Sequence, residues 1–295
     1  MINKILWASD GSRDSNEALK CAELLAIKFK ASIIGLSVMD TYYNVVESLS
    51  LDERDKFCDW VEETLKSNEG KRLNSIADDF ITKKIGFQIK IETGIPQREI
   101  LRIPRCEKAD LIVLGKDRTI DRFILGGTAV KVIRQSPIPV LISGEIGRCM
   151  NLKRILVPID ISYGSLTPLK YALGLSKKFD ATVYLLNIVE AGRFDFLPEV
   201  VERITESSLG KIEEDIREAN LDGKMETYVG VARNAWVGIV KFADQMNIDL
   251  IVMMTFGGNK FRQEFIGSIA EKVIQEARCP VIAMRPHLIS ASLGY

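Results

Sequence analysis

The sequence predicts an α/β fold with two doubly wound parallel five-stranded sheets, one in each half of the chain. The first reason is an internal repeat: residues 4–10 (KILWASD) return as 154–160 (RILVPID), and 110–113 (DLIV) return unchanged as 249–252. A repeat of roughly 140 to 150 residues is far longer than that of a solenoid, so each half should form a domain. The second reason is that short apolar runs alternate with longer amphipathic stretches, as in parallel sheets covered by helices.

In the first half, local signals place the element boundaries. Ser12 lies where the first helix should begin, and Pro96 stands at the first position of a helix, where a missing N–H costs nothing. Pro139 opens the last strand, where a lost ladder bond is tolerable. We predict strands at 3–9, 31–39, 87–93, 110–115 and 139–143, and helices at 13–30, 52–84, 97–108 and 128–136.

The second half follows the same plan. Ser162 and Pro280 stand where Ser12 and Pro139 stand in the first half. We predict strands at 153–159, 181–189, 224–229, 249–255 and 280–285, and helices at 164–179, 198–220, 232–246 and 268–277.

These elements define a strand order and domain boundaries. A chain that winds outward through three strands and then returns beside the first has the strand order 3-2-1-4-5. Ligands bind beyond the carboxyl ends of strands one and four, at the switch point of such a sheet. We predict one domain over 1–146, a second over 151–287 and a tail over 288–295.

Composition argues against several classes of function. The 295 residues carry 40 basic and 40 acidic side chains, so no net charge favours nucleic acid or an anionic membrane as a partner. The longest apolar run is too short to cross a bilayer. The single histidine, His287, argues against histidine-based catalysis and multi-histidine metal sites. Five cysteines without C-x-x-C spacing indicate reduced core thiols in a cytoplasmic protein.

The most informative segment follows strand four of the second half. Residues 253–270 (MMTFGGNKFRQEFIGSIA) run from a buried strand through a glycine-bearing loop into a helix that begins near Gly267 and Ser268. Unpaired N–H groups and the positive end of the helix dipole form an anion site at such a place. Lys260 and Arg262 could add positive charge to it. The alternative is that the glycines serve only the strand-to-helix turn.

In this segment the chain resembles the universal stress proteins, specifically their tandem two-domain members. ATP-binding members of that family carry G-x2-G-x9-G-[ST] after strand four. Here Gly257, nine residues, and then Gly267 and Ser268 match the latter part, whereas Met254 stands at the first glycine. The resemblance covers nearly the whole chain. It implies an adenine-nucleotide α-hydrolase-like fold and a role in stress survival.

The resemblance also implies an adenine-nucleotide site, most of all for ATP, in the second half. Pro158 and Asp160 match the family's strand-one ending, and Ile188 lies at the strand-two end that lines the adenine. Asp160, like Asp10 in the first half, would bind ribose or help to hold Mg²⁺, or else only cap a helix or form a surface turn. Ile188, from the sequence alone, is a core residue. The implied binding residues are Pro158, Ile159, Asp160, Ile188, Met254, Gly257, Gly267, Ser268 and Ile269.

The first half departs further from the family pattern and predicts a degenerate site. Gly115 is kept, but Arg118 replaces the second glycine, the loop is shorter, and strand one lacks the proline. Arg118 could fill the phosphate space or bind a phosphate itself. The weaker candidate residues are Asp10, Val38, Gly115, Arg118, Gly126, Gly127 and Thr128.

Three functions remain open at this point. The resemblance favours a regulatory protein that binds an adenine nucleotide. A slow ATPase or nucleotidyl transferase needs a base, and apart from Asp160 and Glu264 the sequence offers no obvious one, so we assign no catalytic residue. The third possibility is a ligand-free scaffold that binds other proteins.

The final strands of both halves also predict assembly. Residues 139–143 and 280–285 would be exposed apolar sheet edges. In members of the family this strand pairs across a two-fold axis. We therefore expect the two halves of this chain to pair with each other, and two chains to form a homodimer.

Overall fold

A computed structural model describes residues 2–39, 51–116, 126–145, 151–160, 166–190, 198–255 and 266–285. The chain divides into two compact units, Ile2–Gly115 and Lys116–Tyr295. The first unit holds four strands and three helices of the first repeat. The second holds the last helix and strand of the first repeat together with the whole second repeat.

The first unit is a parallel sheet covered by helices. Its elements are β1 (Lys4–Ser9), α1 (Arg13–Phe29), β2 (Ser32–Met39), α2 (Leu51–Thr82), β3 (Phe87–Thr93), α3 (Pro96–Glu107) and β4 (Leu111–Leu114). The strands lie in the order β3-β2-β1-β4, and every adjacent pair is parallel. This order places the ends of β1 and β4 side by side, as predicted.

The second unit repeats this plan and has two more strands in its described residues. Its elements are α4 (Gly127–Gln135), β5 (Val140–Ile142), β6 (Arg154–Pro158), α5 (Thr167–Phe179), β7 (Thr182–Glu190), α6 (Pro198–Glu218), β8 (Met225–Ala232), α7 (Ala235–Gln245), β9 (Leu250–Met254), α8 (Ser268–Glu276) and β10 (Val281–Met284). The strands lie in the order β5-β10-β9-β6-β7-β8. The five strands of the second repeat therefore follow the predicted order 3-2-1-4-5.

The predicted α/β class is confirmed, with one correction to the sheets. Strand β5 pairs antiparallel with β10, with Ile142 opposite Val281 and Val140 opposite Ala283. The expected pairing of the two final strands is therefore confirmed, and the two predicted sheets are not separate at this edge. The physical reason is that an apolar edge strand leaves its N–H and C=O groups unpaired unless another strand covers it.

A repeated aspartate fixes the start of the first strand in each repeat. The Asp110 carboxylate accepts hydrogen bonds from the backbone N–H groups of Asn3 (2.7 Å) and Lys4 (3.1 Å). The Asp249 carboxylate accepts from Lys153 and Arg154, each at 2.8 Å. These bonds hold strands one and four of each repeat in register at their amino ends. The carboxyl ends of the same strands then meet at the opposite edge, where the candidate sites lie.

The helix starts predicted from Ser12 and Pro96 are confirmed. The Ser12 hydroxyl accepts from the Ser15 N–H and caps α1, and Pro96 lies in the first turn of α3. Ser162 lies outside the described residues. Among the described helices, none is long and apolar enough to cross a membrane.

The cysteine prediction is corrected in part. Cys106 and Cys279 form no disulfide, but Cys21, which is buried on α1, is disulfide-bonded. The sequence could not show this, because spacing along a chain does not reveal which thiols the fold brings together.

Candidate functional site

In the second repeat, the loop that connects β9 to α8 begins and ends at residues that are hydrogen-bonded to each other, and this pair of loop ends is called the closed neck. The Thr255 N–H donates to the Met284 carbonyl (2.7 Å), and the Gly267 N–H donates to the Thr255 carbonyl (2.7 Å). The two ends of the loop are thus hydrogen-bonded to each other directly beyond strand four. Four residues of this loop that the sequence singles out lie outside the described residues: Gly257, Lys260, Arg262 and Glu264.

The first turn of α8 presents uncapped amides at this neck. Gly267 is the N-cap residue, with φ −63° and ψ 143°, and no side chain caps the helix. The N–H groups of Ser268, Ile269 and Ala270 have no acceptor within the described parts of the chain. Ser268 and Ile269 are exposed, whereas Ala270 is buried and anchors the turn. Such a turn can receive an anion.

The end of β6 is fastened to β7. The Ile159 N–H donates to the Leu186 carbonyl (2.9 Å), and the buried Asn187 side chain donates through Nδ2 to the Ile159 carbonyl (3.1 Å). Pro158 and Ile159 are half-buried, and Asp160 is exposed just beyond them. These bonds orient the strand-one end from one side and leave Asp160 at the edge of the sheet.

Ile188 packs towards α7, the helix that in turn packs against α8. A Cβ at Gly230 would lie 2.9 Å, and one at Gly238 2.8 Å, from Cδ1 of Ile188. The two glycines thus make room for this side chain, which remains half-buried. Ile188 is thus only partly buried at the end of β7, whereas the sequence alone predicts a core residue.

The amino terminus of α7 is already occupied by a carboxylate. Glu190, at the end of β7, accepts a hydrogen bond from the Ala235 N–H through Oε1 (2.6 Å). A negative charge at this position is favourable for the helix and disfavours a second anion. The start of α7 is therefore a poor anion site, whereas the start of α8 has no side-chain cap.

In the first repeat, α4 begins as α8 does. Gly126 is the N-cap residue, with φ −52° and ψ 139°, again without a side-chain cap. Gly127 is exposed, and a Cβ added there would meet no atom within 4 Å. Thr128 and Val38 are half-buried, while Arg118 and Arg122 lie outside the described residues.

Gly115 in the first repeat is explained by packing. A Cβ at this position would lie 2.7 Å from the Asp14 carbonyl carbon and 2.7 Å from the Ser15 nitrogen. Both are backbone atoms of the first turn of α1, which cannot yield as a side-chain end can. The glycine therefore allows close approach of α1 to the end of β4, a role that needs no ligand.

Asp10 forms the turn that leads from β1 into α1. Its Oδ1 accepts from the Ser12 N–H (2.9 Å), and Gly11 between them has φ 78°, the left-handed region that favours glycine. Partial desolvation raises the pKa of the Asp10 carboxyl, but hydrogen bonds from Ser12 and Ser15 outweigh it, so the pKa lies below its ordinary value. The turn interpretation of Asp10 thus has a direct structural basis.

Sequence reasoning missed a group of side chains at the end of β1. Arg72 of α2 donates to the Ser9 hydroxyl through Nη2 (3.1 Å) and pairs with Glu69 (2.8 Å). The Ser9 hydroxyl also lies 3.3 Å from that of Ser15. The one available signal was an Arg three residues after a Glu on a helix, which is common on solvated helix faces.

Comparison with known proteins assigns the family. The sequence model of the universal stress protein family matches the chain twice, over residues 1–143 and 151–285. The chain belongs to the universal stress protein family. Two matches in one chain make it a tandem member, as the sequence predicts.

Individual relatives agree with this family assignment. Universal stress protein MJ0531 of Methanocaldococcus jannaschii is 34% identical over 142 residues, which are 45% of this chain and 82% of that protein. The crystal structure of a universal stress protein from Archaeoglobus fulgidus has a TM-score of 0.70 at 20% identity and covers 96% of both chains. A putative universal stress protein from Pseudomonas aeruginosa has a TM-score of 0.70 at 18% identity, covering 99% of this chain and 96% of its own. These two structures share the fold.

Proposed function

We propose that this universal stress protein binds an adenine nucleotide, ATP above others, in its second repeat and acts as a regulator in a stress response. The observation that carries the proposal is the uncapped first turn of α8 beside the closed loop neck. The amides of Ser268, Ile269 and Ala270, which bond to no acceptor among the described residues, lie at a helix start and suit the phosphates of such a ligand.

The neighbouring residues supply the rest of the proposed site. Asp160 is exposed at the β6 end, in position to bind a ribose hydroxyl or to help hold Mg²⁺ beside the phosphates. Pro158, Ile159 and Ile188 are half-buried and give the edge an apolar side against which a base can stack. Met254 is half-buried at the end of β9, where it borders the same edge.

The regulatory role is preferred to turnover on chemical grounds. Phosphoryl transfer needs a positioned water or acceptor and a base within hydrogen-bond reach. Among the described residues at the second-repeat edge, Asp160 is the carboxylate nearest this role, and no group of three or more His, Cys, Asp or Glu side chains is placed to hold a metal ion. A slow ATPase or nucleotidyl transferase is therefore the second candidate.

The proposed setting is a cytoplasmic homodimer of tandem chains. Because β5 and β10 already pair with each other, association of two chains must use another surface. A purely scaffolding protein would share this assembly and would lack the bound nucleotide, so nucleotide content separates the two.

The test uses a substitution that should stabilise α8 and at the same time prevent nucleotide binding. Gly267→Asp is compatible with φ −63° and ψ 143°, and its carboxylate should cap α8 and repel phosphate. Gly267→Asn supplies a similar cap without the charge. Gly126→Asp makes the same change at α4 and serves as the matched control.

Native mass spectrometry and titration calorimetry with ATP, ADP and AMP, each with and without Mg²⁺, provide the readout. We expect the wild type and Gly126→Asp to bind, Gly267→Asp to lose binding with an unchanged or raised melting temperature, and Gly267→Asn to bind more tightly than Gly267→Asp. Absence of binding by the wild type, or full binding by Gly267→Asp, overturns the proposal.

A further inference from the structure

We propose that Arg72, Glu69 and Ser9 form a latch that closes the end of β1 and makes the first repeat unable to accept the nucleotide that the second repeat binds. The proposal rests on the proposed function and identifies the side chains that separate the two repeats. Hereafter these three residues are called the Arg72 latch.

The latch is defined by short polar contacts between α2 and β1. Arg72 donates through Nε to Oε2 of Glu69 (2.9 Å) and through Nη2 to the same carboxylate (2.8 Å). Nη2 also donates to the Ser9 hydroxyl at 3.1 Å. Ser9 is the last residue of β1 and is buried, so this contact brings the middle of a long helix to the end of the first strand.

The guanidinium lies against the turn that follows β1. A Cβ added to Gly11 would lie 3.9 Å from Nε of Arg72 and 4.0 Å from Oε1 of Glu69. The Gly11 N–H itself donates to the Ser9 hydroxyl (3.2 Å). Nη1 of Arg72 is buried and bonds to no acceptor in the described part of the chain. The guanidinium therefore takes up volume at the strand end, although the Arg72 side chain as a whole remains 28% exposed.

The charge of the latch argues against its being an anion site. The Glu69 carboxylate pairs with two nitrogens of Arg72 and thereby neutralises the positive charge of the guanidinium. A phosphate brought to this edge would meet the Glu69 carboxylate together with the guanidinium, and a base or ribose would meet filled space. Ligands of this fold lie across the edge beyond strands one and four, which is where the latch stands.

The second repeat lacks all three side chains. The helices α2 and α6 align through equivalent left-handed residues after their ends, Lys84 (φ 59°) and Asn220 (φ 49°). The following N–H bonds match as well, Ile85 to Phe80 and Leu221 to Ile216.

In this alignment Ser208 stands at the position of Arg72 and Thr205 at that of Glu69. From the strand repeat, Ile159 stands at the position of Ser9. A serine is too short to cross from the helix to the strand end, and isoleucine offers no acceptor. The second repeat therefore cannot form these contacts between α6 and the end of β6.

The test is Arg72→Ser, which gives the first repeat the residue of the second. The full chain is irradiated with an 8-azido adenine nucleotide, and labelled peptides from the two repeats are identified by mass spectrometry. Wild type should label in the second repeat only, at one nucleotide per chain by native mass spectrometry. Arg72→Ser should add label in the first repeat and raise the ratio towards two.

Arg102→Ser is the matched control, because Arg102 pairs with Glu99 three residues earlier on α3 in the same way. It should leave the labelling pattern unchanged. The reciprocal variant, Ile159→Ser with Thr205→Glu and Ser208→Arg, should lose the label in the second repeat. The single change Ile159→Ser controls for the loss of the apolar side chain.

The outcomes separate the two proposals. If the wild type labels both repeats, or if Arg72→Ser leaves the first repeat unlabelled while the second is labelled, the latch proposal is overturned and the proposed function stands. If the wild type labels neither repeat, the proposed function is overturned. In that case amide hydrogen exchange tests the latch: Arg72→Ser must speed exchange at Gly11 and Ser12 relative to Arg102→Ser, and equal rates overturn it.

Discussion

The ends of β1 and β6 occupy equivalent places in the two repeats and are built differently. The β1 end is tied to helices, through Ser9 to Arg72 of α2 and through Trp7 Nε1 to the Ser15 carbonyl of α1 (2.7 Å). The β6 end is tied to its neighbouring strand, through Ile159 and Asn187. The same framework thus holds the end of strand one to helices in one repeat and to the neighbouring strand in the other.

This difference between the two repeats indicates which contacts a duplicated domain must keep. Asp110 and Asp249 make the same bonds at the amino ends of the strands, because the sheet requires that register. At the carboxyl ends nothing in the sheet requires the same side chains, so packing and ligand binding can diverge there. Four substitutions, in order of decreasing expected effect, test how far the first repeat depends on the contacts at its strand ends.

The largest effect should come from Gly115→Ala. The new Cβ would lie 2.7 Å from backbone atoms of Asp14 and Ser15, so α1 must move away from β4. We expect a loss of about 3 kcal/mol in the free energy of unfolding. Urea unfolding followed by circular dichroism measures it. The counterpart, Met254→Ala, should cost clearly less because Met254 is half-buried and leaves no clash; equal losses would show that the two edges are packed alike.

A smaller effect is expected for Trp7→Phe. The indole N–H donates to the Ser15 carbonyl in a buried setting, and phenylalanine removes this link between β1 and α1. We expect a loss of about 2 kcal/mol. Hydrogen exchange should be faster in α1 than in the wild type and unchanged in α5. Unchanged exchange in α1 would mean that the bond does not hold the helix to the strand.

Ser12→Ala removes the cap of α1. Its hydroxyl accepts from the Ser15 N–H at 3.1 Å, and alanine supplies no acceptor. The expected loss is about 1 kcal/mol, measured by the same urea titration. Ser12→Asp should retain most of the stability, since aspartate caps a helix equally well, and a loss as large as that of alanine would argue against the cap.

Asp10→Asn should have the smallest effect and should change the pH dependence. The pKa of Asp10 in the folded state lies below that of an ordinary aspartate, so the ionised carboxylate stabilises the fold. This contribution to the free energy of unfolding is fully present above the unfolded-state pKa and is lost as the pH falls through the folded-state pKa. Since the residue is exposed, we expect less than about 1 kcal/mol. With asparagine, the free energy of unfolding should fall less steeply as the pH is lowered, as measured by urea unfolding at a series of pH values. The same pH dependence in wild type and variant would assign the loss of stability in acid to other carboxylates.

Much of the fold can be predicted because the sheet is specified by local patterns. Buried strands read as apolar runs, so the sequence predicts β4 at 110–115, and the strand runs from Leu111 to Leu114. The charge pattern predicts a long helix at 52–84, and α2 runs from Leu51 to Thr82. The duplicated DLIV segment alone establishes that β4 and β9 correspond. Each of these signals spans only neighbouring residues of the chain.

The candidate site is less predictable because its contacts join distant residues. Arg72 and Ser9 are 63 positions apart, and nothing in their spacing reveals that a helix returns to the end of the first strand. Gly115 matches a motif position, yet its lack of a side chain is explained by the backbone of α1. Identity at a motif position therefore leaves open whether a glycine makes room for a ligand or for the protein itself.

The antiparallel pairing of β5 with β10 has a consequence for how this protein can evolve. When identical subunits meet across a two-fold axis, every substitution occurs twice, so neither copy can change alone. Joining both partners in one polypeptide removes that constraint. Each copy is then free to change the contacts at its own strand ends without the same change appearing in its twin.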